Sequence, residues 1–346
     1  MTSKVADKKV ALALSSGGAR GFAYIGALEE LEARGYTVSS IAGTSIGSLV
    51  GGMYASGNLA KFKDWLFDLN TWKVFSLMDI SLSMNSIVKG DRIIQSIQEI
   101  VPNIKIEDLN IPYCAIATDL YTGREVVFDS GDLYEAIRAS ISIPSMFRPV
   151  EYGNTLLVDG HSSNCLPLNR VKRTEGDILV GFDLNHFDAE RIMTSVEDVR
   201  QKTASYEALR LSKKQQVRNL ATTINHNTEA SIFEKIRVIG ENGWQAMKDI
   251  RAFREEYIDN LPEVEWGDNI YSLINRVISI MNYQSSQLMV EMCKPDILAK
   301  MPFDAYTEVS DYALAKEISD YGQQLMSEAL DRYEAGIAPK LISAEE

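Results

Sequence analysis

The sequence contains few cysteines and few histidines, three of each among its 346 residues. Cys114, Cys165 and Cys293 are far apart, which excludes a disulfide framework and a zinc-knuckle pattern and favours a reducing compartment. We therefore expect three small, buried, hydrophobic side chains at these positions. Because the histidines and cysteines show no metal-ligand spacing, we expect no metal and no other cofactor.

Long apolar runs and an excess of basic charge are also absent. No stretch reaches the ~18 apolar residues that a membrane-spanning helix needs, and the run from Val10 to Leu14 is too short for a signal peptide. We therefore expect a cytoplasmic protein. The net charge of −13 opposes polyanions and argues against nucleic acid as a partner. Contact with a membrane surface is expected to be apolar or transient. The sequence is compatible with either a monomer or a homo-oligomer.

What the first half of the chain does contain is an alternation of strand and helix patterns. Apolar runs bounded by turn residues predict strands at residues 9–14, 37–42, 111–117 and 178–182. Helical spacing of apolar residues predicts helices from Phe22 to a stop at Gly35, from Ser45 to Ser56, and from Leu133 to Ser140. This alternation predicts an α/β fold with a largely parallel sheet.

The second half is dominated by helical sequence. Residues from about 188 to 260 are charged, poor in glycine and proline, and without strand signals, which predicts helices with a solvated face. A further helix is expected at about 269–293, then a short strand at 295–298 and an amphipathic helix at 310–333.

The segment SSGGARG (Ser15–Gly21) follows the first predicted strand and precedes a helix. It is not a dinucleotide fingerprint, because neither Gly17 nor Gly18 has a glycine two residues later. It is not a P-loop, because Ala27 and Leu28 occupy the places of the required Lys and Ser/Thr. A nucleotide-binding protein is therefore disfavoured. Small residues whose N–H groups converge suit an oxyanion, and the alternative is a plain strand-to-helix turn.

The segment GTSIG (Gly43–Gly47) lies at the next strand-to-helix junction. A Gly-x-Ser-x-Gly pattern in this context is typical of a nucleophilic serine on a sharp, strained turn, where the glycines relieve crowding. Ser45 is also expected at the positive end of the following helix, which favours negative charge developing beside it. The alternative is that Ser45 only caps that helix.

The segment VDGH (Val158–His161) offers candidates for the base that a serine nucleophile needs. The other histidines, His186 and His226, lie at the start of or within the charged helical segment, where we expect solvated surface positions. Asp159 and His161 are too close in sequence for the carboxylate easily to orient the ring. Either Asp159 acts directly, then, or His161 acts with another carboxylate. The alternative for Asp159 is an ordinary turn residue.

Taken in this order, the three motifs resemble those of the patatin-like phospholipase family of bacterial, cytoplasmic type. That family has a glycine-rich turn ending in Arg-Gly, then Gly-x-Ser-x-Gly, then Asp-Gly. Further familial segments are ATDLYTGREVVF at 117–128, AIRASISIPSMFRPV at 136–150 and CKPDILAKM at 293–301. The resemblance implies a three-layer α/β/α fold with a mostly parallel central sheet and a helical insertion. The implied domains are a catalytic core at 9–187, the insertion at 188–268, a completion of the core at 269–335 and a tail at 336–346.

The resemblance also implies a serine esterase that hydrolyses lipid acyl esters through an acyl-enzyme. The implied site comprises Ser45 as nucleophile, Asp159 as general base, the backbone N–H groups of Gly17, Gly18 and Ala19 as oxyanion hole, and Arg20 in support of the turn. Two residues depart from the family pattern. Ser16 replaces a usual glycine, and its side chain is expected to point away from the site. His161 replaces a small residue, and it crowds the pocket, contacts substrate or tunes Asp159.

The substrate is the least determined part of the sequence. Two apolar stretches, Trp65–Trp72 and Val74–Met84, suit an acyl-chain groove or a cover over Ser45, with buried core as the alternative. The helical insertion covers the site, mediates dimerisation or decorates the fold. We expect a phospholipase or lysophospholipase. The alternative is a catalytically idle lipid-binding or regulatory module on the same fold.

Overall fold

The computed structural model describes residues 8–68, 91–144, 147–226, 232–257, 270–306 and 311–339. Contacts along the chain divide it into two compact units. One unit consists of Met1–Phe187 with Val277–Glu346, and the other is Asp188–Arg276. The predicted division into core, insertion, completion and tail stays a prediction.

The described residues of the first unit form an eight-stranded sheet. Its strands are β1 (Lys8–Leu14), β2 (Tyr36–Thr44), β3 (Tyr113–Asp119), β4 (Glu125–Phe128), β5 (Val150–Tyr152), β6 (Thr155–Asp159), β7 (Ile178–His186) and β8 (Ile297–Pro302). The order is β5-β6-β3-β2-β1-β7-β8, and β4 pairs with β3. β1 is parallel to β2 and β7, β2 to β3, and β7 to β8, whereas β4 and β6 run antiparallel to β3. The prediction of a largely parallel sheet is confirmed.

The described residues of the two units also form α-helices. They are α1 (Ala23–Ala33), α2 (Ile46–Ala55), α3 (Leu59–Phe67), α4 (Asp91–Ile100), α5 (Leu133–Ser140), α6 (Ala189–His226), α7 (Ile232–Tyr257), α8 (Ile270–Cys293) and α9 (Ala315–Glu334). The long helices α6 and α7 make up most of the second unit, as the charged, strand-free sequence predicts. Among the helices of the described residues, none is both long enough and apolar enough to cross a membrane.

The alternation of side chains along β1 divides the core of the first unit into two layers. Val10, Leu12 and Leu14 join the large buried cluster that includes side chains of α1, α2 and α9. Ala11 and Ala13 face the opposite side and join a smaller cluster. Because successive side chains of a strand point to opposite faces, one sheet supports a helical layer on each side. The three-layer α/β/α fold is therefore observed.

Close contact between α1 and α9 depends on two glycines. A β-carbon at Gly26 would meet the carbonyl oxygen of Ser319, and one at Gly322 would meet that of Ala23. Without side chains at these positions, the two helix backbones approach directly. This contact secures the helix that follows the glycine-rich turn.

The sequence patterns did not predict several short strands and helices. The strands β4 and β5 have only four and three residues, which carry too little periodicity. The helices α3 and α4 were also not predicted, although the ten residues of α4 are clearly amphipathic. The cysteine expectation is confirmed for Cys114 and Cys165, which are buried, and wrong for Cys293, which is only partly buried near the end of α8.

We expect Gly26→Ala to lower the free energy of unfolding by about 3 kcal/mol, because the added methyl forces α1 and α9 apart. The matched control is Gly240→Ala in α7, where no described atom lies within 4 Å of the added carbon. There alanine should stabilise the helix by about 0.5–1 kcal/mol. Urea unfolding followed by circular dichroism measures both, and equal stabilities of the two variants would contradict the close-packing argument.

Candidate active site

The first component of the site is the turn between β2 and α2. Ser45 has φ 57° and ψ −123°, and among the described non-glycine residues only it and Lys294 have positive φ. A β-carbon at Gly43 would collide with the backbone of Gly47, and one at Gly47 would collide with the carbonyl oxygen of Leu14. The two glycines therefore permit the sharp turn at the serine, as the motif predicts.

Neighbouring hydroxyl groups hold this turn in place. The backbone N–H of Ser45 donates to Ser140 Oγ at 2.8 Å, and Ser48 Oγ donates to the carbonyl oxygen of Ser45 at 2.6 Å. The side chain of Ser45 makes no capping hydrogen bond to its helix. The alternative of a purely capping serine is therefore wrong, and the hydroxyl is directed elsewhere.

The Ser45 hydroxyl donates to the carboxylate of Asp159, with 2.5 Å between Oγ and Oδ2. Both side chains are buried. The sheet brings them together because β3 lies between β2 and β6, and its neighbouring residues pair with Thr44 on one side and with Asp159 on the other. The two residues are 114 positions apart in sequence, yet Ser45 follows β2 and Asp159 ends β6, the two strands on either side of β3.

The other oxygen of the same carboxylate accepts a hydrogen bond from the backbone N–H of His161 and lies close to the ring of that residue. The backbone N–H lies 2.9 Å from Asp159 Oδ1, and the ring Nδ1 lies 3.0 Å from that oxygen. The ring therefore approaches the carboxylate closely, and the expectation that the carboxylate does not easily orient the ring stays a prediction. A tight turn over residues 160–162 folds the ring back, and Gly160 makes it possible because a β-carbon there would collide with the carbonyl oxygen of Ile116.

Asp159 thus combines the two roles that the sequence presents as alternatives. Its Oδ1 caps the turn at residues 160–162, and its Oδ2 faces the hydroxyl of Ser45.

The glycine-rich turn begins a short 3-10 helix at Gly18–Phe22. The N–H groups of Gly17, Gly18 and Ala19 precede its first internal hydrogen bond, and none donates to an acceptor among the described residues. Gly18 lines the same pocket as Ser45. A β-carbon at Gly17 would lie 2.7 Å from Leu184 Cδ1. The glycine therefore leaves room for the packing of Leu184 in the core, and not for a ligand.

Buried polar groups secure this turn from behind. Tyr24 donates its hydroxyl to the carbonyl oxygen of Ser15 at 2.7 Å, and Leu184 donates its N–H to Ser15 Oγ at 2.9 Å. Burial raises the pKa of Tyr24 well above its ordinary value, which keeps the hydroxyl protonated as a donor. Ser16 is buried against Cys165, with 3.1 Å between Oγ and Sγ, and burial raises the pKa of that thiol to about 12.

Arg20 is almost completely buried and donates through Nη1 to the carbonyl oxygen of Phe303. Phe303 directly follows β8, so this bond ties the glycine-rich turn to the far edge of the sheet. The guanidinium also brings a positive charge beside the turn. Both features correspond to the support that the resemblance implies, and the functional part of that role stays a prediction.

A pocket with an empty volume of about 720 Å³, part of it open to solvent, adjoins the Ser45 hydroxyl. Its lining is almost entirely apolar and consists of Gly18, Phe22, Ser45, Ile46, Leu49, Phe62, Trp65, Leu66, Ile93, Ile97, Ile141, Ile143, Phe147 and Tyr312. Trp65 and Leu66 come from the first apolar stretch that the sequence associates with an acyl-chain groove. Residues 69–90, which hold the rest of that stretch and the second one, lie outside the described residues.

Two histidines and one serine complete the comparison with the sequence. His186 is the partly buried last residue of β7 and packs its ring against Tyr283 at 6.1 Å, so its expected solvated position is wrong. The side chain of His226 lies outside the described part of the chain. Ser140, which accepts a hydrogen bond from the backbone N–H of Ser45, was not predicted, because one serine in a familial segment carries no signal of a contact 95 residues away.

Within the described residues, no group of three or more His, Cys, Asp or Glu side chains is arranged to hold a metal ion.

The chain is similar in sequence to known proteins. The sequence profile of the patatin-like phospholipase family matches residues 12–170. An uncharacterized NTE family protein of Mycobacterium tuberculosis is 30% identical over 344 residues, covering 94% of this chain and 92% of that protein. Lysophospholipase NTE1 of Debaryomyces hansenii is 29% identical over 189 residues, covering 53% of this chain and 12% of that protein.

Among solved structures, VipD from Legionella pneumophila matches with a TM-score of 0.33 and 13% identity, covering 97% of this chain and 89% of that one. The match to the family profile and the relative that aligns over nearly its full length together show the family of this chain. This chain belongs to the patatin-like phospholipase family.

Proposed function

We propose that the protein is a lipid acyl hydrolase that cleaves carboxylic esters of phospholipid or lysophospholipid type, with Ser45 as nucleophile and Asp159 as general base. The observation that carries the proposal is the 2.5 Å hydrogen bond from Ser45 Oγ to Asp159 Oδ2 beside an apolar pocket. A base within hydrogen-bond reach of the hydroxyl proton meets the first geometric requirement for an activated serine.

In the acylation step, Ser45 Oγ attacks the ester carbonyl carbon while its proton moves to Asp159 Oδ2. The carbonyl π electrons move to oxygen and form a tetrahedral oxyanion. When this collapses, the carbon–oxygen bond to the alcohol breaks, and the proton on Asp159 passes to the departing alcohol. The acyl group remains on Ser45 as an ester.

Deacylation repeats the sequence with water. The oxygen of the water molecule attacks the acyl carbon while Asp159 Oδ2 takes a proton from that water, and the second tetrahedral oxyanion forms. Its collapse breaks the bond to Ser45 Oγ, which regains the proton from Asp159, and a fatty acid leaves. No oxidant, reductant or metal enters this balance.

The oxyanion is proposed to lie against the N–H groups of Gly17, Gly18 and Ala19. An ordinary aspartate, with a pKa near ~3.9, is a weak base, so stabilisation of the oxyanion must supply much of the rate. One such donor is typically worth about 3 kcal/mol. Ser45 also stands at the N-terminus of α2, where the helix dipole favours the developing negative charge.

The proposed substrate class rests on the pocket. Its apolar side chains suit a hydrocarbon chain whose ester group reaches Ser45, and each buried methylene contributes about 0.8 kcal/mol. A relative that is 29% identical over 189 residues is named a lysophospholipase, which supports the same class of ester. Such substrates reside in lipid assemblies, so the proposal includes transient contact with a membrane surface.

The direct test is labelling of the purified protein with a fluorophosphonate, together with hydrolysis of a p-nitrophenyl ester. We expect labelling at Ser45, its loss in Ser45→Ala and a strong reduction in Asp159→Asn, with kcat/KM falling at least about 10³-fold in both variants. An unlabelled parent protein would support the alternative of a catalytically idle lipid-binding module.

Narrowing the pocket should change chain-length preference. In Ile93→Trp, on α4, the indole should take up space that a long acyl chain needs, so activity on laurate and longer esters falls about fourfold per excluded methylene while activity on the acetate persists. Ile337→Trp is the control, at a position that is 52% exposed and outside the pocket. A uniform loss over all chain lengths would argue against an acyl chain in this pocket.

The strained backbone of the nucleophile should be measurable as stability. Ser45→Gly and Ser45→Ala remove the same hydroxyl, but only glycine adopts φ 57° without a steric penalty. We expect the glycine variant to be more stable than the alanine variant by about 1–3 kcal/mol in urea unfolding. Equal stabilities would mean that the turn relaxes and stores no strain.

A further inference from the structure

The carbonyl oxygen of Ser16, just before the glycines of the glycine-rich turn, accepts two hydrogen bonds. Asn185 Nδ2 donates to it at 2.9 Å, and Ser15 Oγ donates to it at 3.0 Å. The backbone N–H of Ser16 donates in turn to the carbonyl oxygen of Cys165 at 3.0 Å. All three partners are buried, so both backbone polar groups of Ser16 are fixed from the interior of the protein.

The carbonyl of Ser16 belongs to the same peptide group as the N–H of Gly17. This peptide is trans and planar, so its C=O and its N–H point in opposite directions. Donors that hold the carbonyl oxygen toward Asn185 therefore hold the N–H of Gly17 away from Asn185. The next residue, Gly18, lines the pocket beside Ser45. The orientation of one peptide group thus determines where the first proposed oxyanion donor points.

The sheet brings Asn185 to this position. β7 runs parallel to β1, and Phe182 pairs with Leu14, the last residue of β1. β7 continues beyond this pair, whereas the chain after β1 enters the glycine-rich turn at Ser15. The last residues of β7, Asn185 among them, therefore lie beside the turn.

The amide of Asn185 is itself held in one orientation. Its backbone N–H donates to Asp183 Oδ1 at 3.0 Å, and its Nδ2 also donates to Cys165 Sγ at 3.3 Å. Because a carbonyl oxygen only accepts hydrogen bonds, the amide must present its nitrogen to Ser16. The side chain is completely buried, so water does not compete for this donor.

We propose that Asn185 is a positioning residue for the oxyanion hole, whose amide holds the carbonyl oxygen of Ser16 and so directs the N–H of Gly17 toward the oxyanion formed at Ser45. This inference rests on the proposed function. A donor that is fixed before the reaction costs no reorganisation when the negative charge develops. The hydrogen bond also polarises the peptide group, which strengthens its N–H as a donor. Asn185 acts through the peptide group, and it is not among the residues that line the pocket.

The first test removes the amide donor. We expect Asn185→Leu, which keeps a side chain of similar size, to lower kcat on p-nitrophenyl laurate about 10–50-fold, with KM within about twofold of the parent. This loss is smaller than the roughly 10²–10³-fold cost of removing a whole oxyanion donor, because the N–H of Gly17 remains and is only less well directed. Asn185→Ala, and Ser15→Ala at the second donor to the same carbonyl, should show the same pattern and decide the question if the leucine variant does not fold.

A transition-state analogue separates this role from a general loss of structure. Ser45 Oγ adds to the carbonyl carbon of a long-chain trifluoromethyl ketone, its proton moves to Asp159, and the π electrons move to oxygen to give a tetrahedral oxyanion. Dodecanol occupies only the apolar pocket. In the Asn185 variants the Ki of the ketone should rise in proportion to the fall in kcat/KM, whereas the Ki of dodecanol should change less than about twofold.

The matched control is Ser40→Ala, which removes another buried side-chain donor to a backbone carbonyl, from Ser40 Oγ to Lys172 at 2.6 Å. It should leave kcat and both Ki values unchanged, and melting temperatures are measured for every variant. Parent-like kcat and ketone binding in folded Asn185→Leu would overturn the inference, and so would equal weakening of ketone and dodecanol binding. A parent protein that no fluorophosphonate labels at Ser45 would refute the proposed function itself, whereas a labelled parent with unaffected Asn185 variants would refute only the positioning role.

Discussion

The arrangement of this protein depends on one buried hydrogen bond, from the Ser45 hydroxyl to the Asp159 carboxylate. A carboxylate removed from water is costly unless its oxygens are satisfied. Here the carboxylate accepts hydrogen bonds from the hydroxyl of Ser45 and the backbone N–H of His161, and β3 aligns the strands β2 and β6 that lead into these residues. The order of strands in the sheet is therefore also the condition for the proposed chemistry.

Holding the hydroxyl at this place requires a backbone conformation that an isolated serine avoids. Positive φ at Ser45 is maintained by the packing of Gly43 and Gly47 and by hydrogen bonds to Ser140 and from Ser48. The glycine-rich turn is also held in place, because Arg20 donates to the carbonyl oxygen of Phe303. The apolar pocket beside Ser45 is the region that we propose for the acyl chain.

Much of the fold could be predicted from the sequence. Segments with a clear apolar pattern, such as α5, α8 and the buried strand β1, lie near their predicted bounds, because burial imposes the apolar pattern directly. Short elements such as β4 and β5 were missed, since their pairing with neighbours and not their own residues makes them strands. The positions of Cys293 and His186 were wrong for a related reason: local composition does not tell how far a neighbouring element covers a side chain.

The sequence by itself determined the candidate chemistry of the site. Glycines at 17, 18, 43 and 47, a serine between two of them and an aspartate before glycine are requirements of backbone geometry and reactivity, and such requirements are visible in residue identity. Only the tertiary structure decided which groups meet: that Ser45 reaches Asp159, that Ser140 holds its backbone, that Leu184 occupies the space beside Gly17, and that the His161 ring turns back onto the carboxylate. Contacts between distant residues depend on strand order and register, and the tight turn that brings a ring back over two positions depends on the backbone packed beneath it.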